Sequence, residues 1–195
     1  YTNQIALISN IAKSIPVEYT LYVKEHPGMD ELGWRDIFYY EQLLDLPNVK
    51  LIHPSLSNEE LIKKCFLAIT IRGTLGLEAA FYEKPSINFN SNSGYSELPS
   101  VYTISNIEEL PEAIRNSLQI KVNPYDVNKY FDYVNKISFD FNYTDFSSEF
   151  AKKFNLQVGY LHKAKISPDE MSSFLKEYDA TFELIAEEFV KKIDN

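Results

Sequence analysis

Short apolar runs alternate with helical patterns along the first 120 residues, and few chain topologies satisfy that rhythm. Tyr19–Val23, Val49–Ile52, Phe66–Ile71, Pro85–Asn90 and Val101–Ile104 read as strands. Helices are predicted over Thr2–Ser14, over Trp34–Leu44, from Ser57 to about Cys65, over Leu75–Glu83 and from Ser105 to near Leu118. Ser57-Asn58-Glu59-Glu60 has the form of a capping box, in which Ser57 accepts from the helix start and Glu60 reaches back. Strands that alternate with helices at this spacing predict α/β architecture: a Rossmann-like parallel sheet with helices on both faces.

That pattern stops near Val122, so residues 1–122 are assigned to the sheet domain and 123–195 to a C-terminal helical extension. The extension is dense in aromatic residues, from Tyr125 through Tyr130, Phe131, Tyr133, Phe139, Phe141, Tyr143 and Phe146 to Phe150 and Phe154. Ser167-Pro168-Asp169-Glu170 combines a cap residue, proline at the first helical position and carboxylates on the dipole. One long helix is expected from there to about Ile193. Its apolar stripe, Phe174, Leu175, Tyr178, Phe182, Ile185, Ala186 and Phe189, packs either on its own domain or on a partner.

A net charge of −9 over 195 residues argues against a nucleic-acid duplex or an anionic membrane as the main partner. It leaves room for a small anionic ligand, because a local helix N-terminus binds phosphate even on an acidic protein. The single Cys65 excludes an internal disulfide and fits a cytoplasmic setting. No signal peptide and no bilayer-length apolar run is visible. The first residue is Tyr1, in mid-pattern, so the chain is expected to be a piece of a longer protein.

Two strand ends carry the chemistry. Lys24-Glu25-His26-Pro27 follows the Tyr19–Val23 run, and Arg72-Gly73-Thr74-Leu75-Gly76-Leu77-Glu78-Ala79 follows Phe66–Ile71. In open α/β sheets ligands bind beyond the carboxyl ends of the strands. The His26 imidazole suits a phosphate oxygen; the alternative is a histidine satisfied by local backbone. Gly73 lets backbone approach a ligand closely, and Thr74 either caps the helix or donates to a phosphate. Arg72 is either a phosphate contact or an outward-facing arginine. Glu78, one turn into the helix, either accepts from ribose hydroxyls or is a solvated helix glutamate. His53, in His53-Pro54-Ser55, either borders the base or sits in a turn. The polar loop from Asn90 to Tyr95 either touches sugar or is a turn by composition. His162 is assigned no role, the three histidines lack metal-ligand spacing, and no metal site is predicted.

Together these pieces resemble the C-terminal nucleotide-binding half of bacterial capsule polysaccharide glycosyltransferases of the Kdo-transferase type, which have a GT-B fold. The resemblance covers Ile5 to Ile104. It is carried by Val23-Lys24-Glu25-His26-Pro27-Gly28-Met29, Gly33-Trp34-Arg35 and Pro47-Asn48-Val49-Lys50-Leu51-Ile52, then by Leu61-Ile62 and Ala68-Ile69-Thr70. Gly73-Thr74-Leu75-Gly76-Leu77-Glu78-Ala79 and Lys84-Pro85-Ser86-Ile87 complete it. Bacterial polysialyltransferases and CDP-glycerol polymerases are similar more distantly. Glu83 departs from the pattern, standing where a glycine often precedes Lys-Pro.

The resemblance implies a domain that holds a nucleotide-activated sugar donor, CMP-, CDP- or UDP-linked, as substrate and needs no cofactor. It implies that His26, Gly73 and Thr74 serve the donor phosphate and Glu78 the ribose. Lys24, Glu25, Arg35, Arg72, His53 and Tyr95 are further candidates at the site. The acceptor, a polysaccharide or glycolipid, and the catalytic base are expected from an N-terminal half outside this chain, which alone is expected to be inactive. The implied setting is the cytoplasm, at the inner face of the membrane with the capsule machinery. Two other readings are a nucleotide-sugar 2-epimerase-like enzyme and a non-catalytic assembly module with a vestigial pocket.

Overall fold

The computed structural model describes residues 3–26, 28–29, 33–156 and 165–193. Pro27, residues 30–32 of the predicted loop and His162 lie outside them. The described residues form a mixed α/β structure of nine helices and five strands. They divide into two compact units, 1–132 and 133–195.

In the first unit α1 (Gln4–Ser14) starts where the Asn3 side chain accepts from the Ala6 amide. β1 (Leu21–Lys24) follows, and then α2 (Ile37–Leu44). α2 begins three residues later than predicted because the Asp36 carboxylate takes the Phe38 amide at 2.9 Å and caps the helix there. Trp34 and Arg35 therefore stay in the loop ahead of it. β2 occupies Val49–Ile52, as the pattern predicted.

α3 (Asn58–Lys64) has Ser57 at its cap position, but the Ser57 side chain makes no cap bond, so the predicted Ser57–Glu60 box does not form. The carboxylates of its first turn face the dipole instead, and Glu59 pairs with Lys63 at 2.5 Å. β3 (Ala68–Thr70), α4 (Leu75–Phe81), β4 (Ser86–Asn88), β5 (Val101–Thr103), α5 (Leu110–Ser117, led by a 3₁₀ turn at Ile107–Glu109) and α6 (Pro124–Ile137) complete the order. Most strands are shorter than their apolar runs, since pairing stops before the hydrophobic pattern does.

All strand pairs are parallel, with Val23 opposite Leu51, Ile69 opposite Ile87 and Asn88 opposite Thr103. The strands form two small sheets, β1-β2 and β3-β4-β5, in place of the one expected. A common core joins them: Leu21 packs with Leu67, Ile69 and Ile71 around buried Leu7, Ile11, Ile87 and Ile114. The Tyr19 ring also meets Phe66 edge-on at 5.5 Å, bringing the amino ends of β1 and β3 together. The chain thus proceeds from β1 to β2 in one sheet and from β3 through β4 to β5 in the other.

Neighbouring residues of a strand point to opposite faces, and β4 shows what covers each. Ile87 joins the cluster of α1 and α5, while the Ser86 hydroxyl lies beneath Gly76 of α4. Helices therefore flank both faces of the three-stranded sheet. The first turns of α6 add Val127 and Tyr130 to a cluster with Ala80, Tyr95, Leu98 and Val101.

The second unit is helical, with α7 (Tyr143–Lys153), α8 (Pro168–Glu177) and α9 (Asp179–Ile193). Phe174 is its buried centre, touched by the rings of Phe146, Phe150, Phe154 and Tyr178. The expected single last helix is two. It breaks at Tyr178, whose ring stacks on Phe174 at 4.5 Å while its hydroxyl donates to Glu149. Phe182 continues the predicted stripe onto Phe146, whereas Leu184, Phe189 and Val190 are exposed.

Candidate functional site

At the carboxyl end of β1 three polar residues meet different fates. Lys24 donates to the Asn58 side-chain oxygen at the start of α3. Glu25, largely buried, accepts from Arg35 Nε at 2.6 Å, and Arg35 Nη2 donates to Gln4 at 2.7 Å. The guanidinium also lies over the Tyr39 ring, 4.6 Å from its centroid. Burial draws the Arg35 pKa down, but the Glu25 hydrogen bond and charge outweigh it and leave a net rise. Glu25 and Arg35 thus tie the loop before α2 to α1 and to the end of β1. Glu25 sits at the site's edge as a brace, and Lys24 is engaged with α3.

His26 is exposed, and its Nδ1 accepts from the Gly28 amide at 3.0 Å. An accepting Nδ1 carries no proton, so the neutral ring keeps its hydrogen on Nε2. This is the local backbone contact of the alternative reading; it fixes the tautomer and leaves the Nε2–H unengaged. The extra strength expected from a protonated ring would come only with loss of the Gly28 bond. His53 repeats the device, its Nδ1 accepting from the Ser55 amide at 3.2 Å beside the Ser55 hydroxyl.

The carboxyl end of β3 leads into an exposed turn. Gly73 has φ +153°, a conformation that side chains avoid, and an added Cβ would meet nothing closer than Thr70 Oγ1 at 3.8 Å. Space is therefore open above the turn, and backbone geometry is what demands glycine. Arg72 is exposed and makes no hydrogen bond or ion pair among the described residues. The Thr74 hydroxyl donates to Glu78 at 2.5 Å and does not cap α4. α4 has seven residues, too short for the strong helix N-terminus that the sequence suggested. Side-chain donors carry the site in its place.

Tyr95 is buried, with its hydroxyl donating to the Gly73 carbonyl. Burial pushes its pKa up, partly offset by Ser93. It supports the turn from beneath and is not placed to contact a sugar. The loop from Asn90 satisfies itself: Asn88 Nδ2 donates to the Asn90 carbonyl and the Ser93 hydroxyl, and Asn90 Oδ1 accepts from the Asn92 amide. Sequence reasoning missed the bracing partners Gln4 and Asn58, which carry no local motif. It also missed the pinning role of Tyr95.

No family model matches this chain, and no curated protein or solved structure is significantly similar to it.

The geometry therefore carries the chemical reading. Two donors, the His26 Nε2–H and the Arg72 guanidinium, stand at two strand ends, the second beside an open glycine turn, while the Thr74 hydroxyl is given to Glu78. Such a set suits an anion with several acceptor oxygens. The Glu78 carboxylate, held by Thr74, supplies an acceptor beside them.

Proposed function

We propose that the first unit is a Rossmann-like, GT-B-type domain that binds the nucleotide-sugar donor of a glycosyltransferase building a surface polysaccharide. The observation that carries this reading is the polar equipment at the carboxyl ends of two strands, β1 and β3. One end bears an imidazole locked as an Nε2–H donor by Gly28, and the other a glycine turn followed by Thr74 and Glu78. Ligands of open α/β sheets sit in that position. The resemblance of the same segments to capsule glycosyltransferases supports it further.

In this reading His26 and Arg72 contact the donor phosphate, Thr74 joins them when its hydroxyl turns from Glu78, and the freed Glu78 carboxylate accepts from the ribose. As the sugar leaves the nucleotide, negative charge grows on the phosphate oxygen. Hydrogen-bond donors and positive charge placed there stabilise that charge. The acceptor and the catalytic base come from an N-terminal half across the cleft, so this chain alone binds donor and transfers nothing.

The test is a thermal-shift and calorimetric titration with CMP, CDP, UDP and GDP, on the natural chain and on the His26→Ala, Thr74→Ala double variant. Ligand at a hundred times its dissociation constant stabilises a fold by about 2.7 kcal/mol. Saturable binding of one nucleotide, lost in the double variant, is expected. Silence across the panel, in this chain and in one carrying the acceptor half, rejects the reading.

A further inference from the structure

A cavity of ≈ 320 Å³ opens within the second unit, between the carboxyl end of α6 and the last turns of α9. Ile137, Ser138, Phe139, Phe141, Glu188 and Phe189 line it. Phe139 meets Phe189 edge to face, with centroids 6.3 Å apart and planes at 73°, and lies 6.4 Å from Phe141. Rings at these separations touch one another, so the open space lies in front of them and the three rings form adjoining walls. Phe189 is nevertheless 60% exposed, which places an aromatic face at the mouth.

The electrostatics of these walls select one sign of charge. An aromatic face is the negative part of the ring quadrupole. Glu188 is the one charged residue among those lining the cavity. α6 ends at Ile137, on the wall, and its 14 residues bring the negative end of a helix dipole there. All three contributions favour a cation. Glu188 is paired with Lys191 at 2.7 Å, but the lysine side chain is 60% exposed. Exposed pairs contribute little, so a cation entering the cavity displaces Lys191 at small cost.

The lining also selects the kind of cation. One carboxylate and one hydroxyl are too few side-chain oxygens for magnesium or calcium, which take about six or more. A primary ammonium is strongly hydrated and needs hydrogen-bond acceptors, which three phenylalanines do not offer. A quaternary ammonium presents its charge through methyl groups, needs no hydrogen bond and is held by aromatic faces. The volume stands at the lower end of small-molecule sites, which run from about 300 to 1,000 Å³, so it suits such a headgroup and not an acyl chain.

We propose that this cavity binds a small quaternary ammonium group of the choline type. Its methyl groups lie against Phe139, Phe141 and Phe189, and its charge lies beside Glu188. The assignment stands independently of the donor-domain reading, which concerns the first unit.

The experiment titrates tetramethylammonium and choline against the whole chain by calorimetry and saturation-transfer NMR. Dimethylbutanol, the uncharged carbon isostere of choline, is the control. Both cations are expected to bind saturably, with choline at least about fivefold tighter than dimethylbutanol. Phe189→Leu keeps an apolar wall and removes the aromatic face, whereas Glu188→Gln keeps the shape and removes the charge. Each is expected to weaken choline about threefold or more, to leave dimethylbutanol unchanged and to keep the natural circular dichroism. Equal affinity for choline and dimethylbutanol would show an apolar cavity indifferent to charge and overturns the proposal. So does a lack of saturable binding, and so does choline binding that neither variant weakens, which would place the cation elsewhere on this acidic chain.

Discussion

The Tyr95 hydroxyl donates to the Gly73 carbonyl oxygen across 22 positions of sequence, tying the loop after β4 to the turn after β3. The same ring lies against Gly76, where an added Cβ would stand 2.7 Å from Tyr95 Cε2. One buried phenol thus fixes both the glycine turn and the first turn of α4. A turn exposed to solvent on its outer side is made rigid from its inner side.

Removing that hydroxyl has a bounded effect. In Tyr95→Phe the Gly73 carbonyl, on an exposed residue, regains water, so only the net worth of the bond is lost, about 1 kcal/mol. Gly76→Ala instead forces a methyl into the ring and is expected to cost about 1–3 kcal/mol. Urea unfolding of the two variants and their combination checks this. The double variant is expected to be less destabilised than the sum of the singles, because the residues touch. Strict additivity would mean that the contact does not couple them.

The two nitrogens of His26 have separable duties. Asparagine places an acceptor oxygen where it takes an amide two residues on, so His26→Asn keeps the Gly28 turn while its amide nitrogen falls short of the position of Nε2. Stability is expected to change by no more than about 0.5 kcal/mol, with nucleotide affinity down at least tenfold. Glutamine reaches farther and restores an outward donor, so His26→Gln is expected to recover part of the affinity. Equal binding by the asparagine variant and the natural chain, measured by calorimetry, would show that Nε2 touches no ligand.

What the sequence revealed, and what it hid, follows from the range of each interaction. β2 was legible to the residue because Val49–Ile52 is bounded by a turn and a polar segment. The beginning of α8 was legible because its cap acts within three residues, whereas α1 starts at Gln4, behind an Asn3 cap that the apolar spacing did not reveal. Asp36 was as local a signal, but the aromatic pattern through Trp34 drew the boundary past it. The split of the strands into two sheets depends on pairing across crossovers, and no local pattern encodes that. The motifs His26-Pro27 and Gly73-Thr74 stood out by residue type. Which polar neighbours were already engaged did not: Arg35 is committed to Glu25 and Gln4, Lys24 to Asn58 and Tyr95 to Gly73, all through contacts remote in sequence. The break at Tyr178 was hidden for the same reason, since the helical spacing runs on through it and the packing on Phe174 and Glu149 is tertiary.

Glu83 stands at φ +56°, in the left-handed region where a Cβ is strained. Its amide still donates to the Ala80 carbonyl at the end of α4, and the Lys84 amide donates to that of Ala79, so this is a helix terminus of the kind that glycine usually closes. Glu83→Gly relieves the strain but adds freedom to the unfolded chain, worth roughly 0.5–1 kcal/mol against it. With strain of about 1–2 kcal/mol, a net gain of up to about 1 kcal/mol is expected, and a raised midpoint in thermal unfolding checks it. Glu83→Ala keeps the strain and is expected to gain nothing. Stabilisation by alanine equal to that by glycine would move the cause from backbone to charge.

Acid sensitivity of the second unit is written into the start of α8. The Glu170 carboxylate accepts from the Ser167 hydroxyl at 2.6 Å and from the Ser167 amide at 2.9 Å, while the Glu170 amide donates back to the Ser167 hydroxyl at 3.3 Å. The Ser167 hydroxyl foremost, then its amide, holds the Glu170 pKa below the ordinary 4.5. The folded form therefore prefers the carboxylate more than the unfolded chain does. Its contribution is complete above pH 4.5 and is lost as pH falls through the lower folded value. Glutamine completes the same capping box without titrating, so Glu170→Gln is expected to flatten this part of the acid limb while leaving stability at neutral pH nearly unchanged. Glu59, whose pKa Lys63 lowers by hydrogen bond and charge, titrates equally in both proteins and cancels in the comparison. Helical circular dichroism followed from pH 7 to pH 3, under mild denaturant, reads the difference. Superimposable acid limbs would show that the Ser167 contacts do not discriminate between the two protonation states of Glu170.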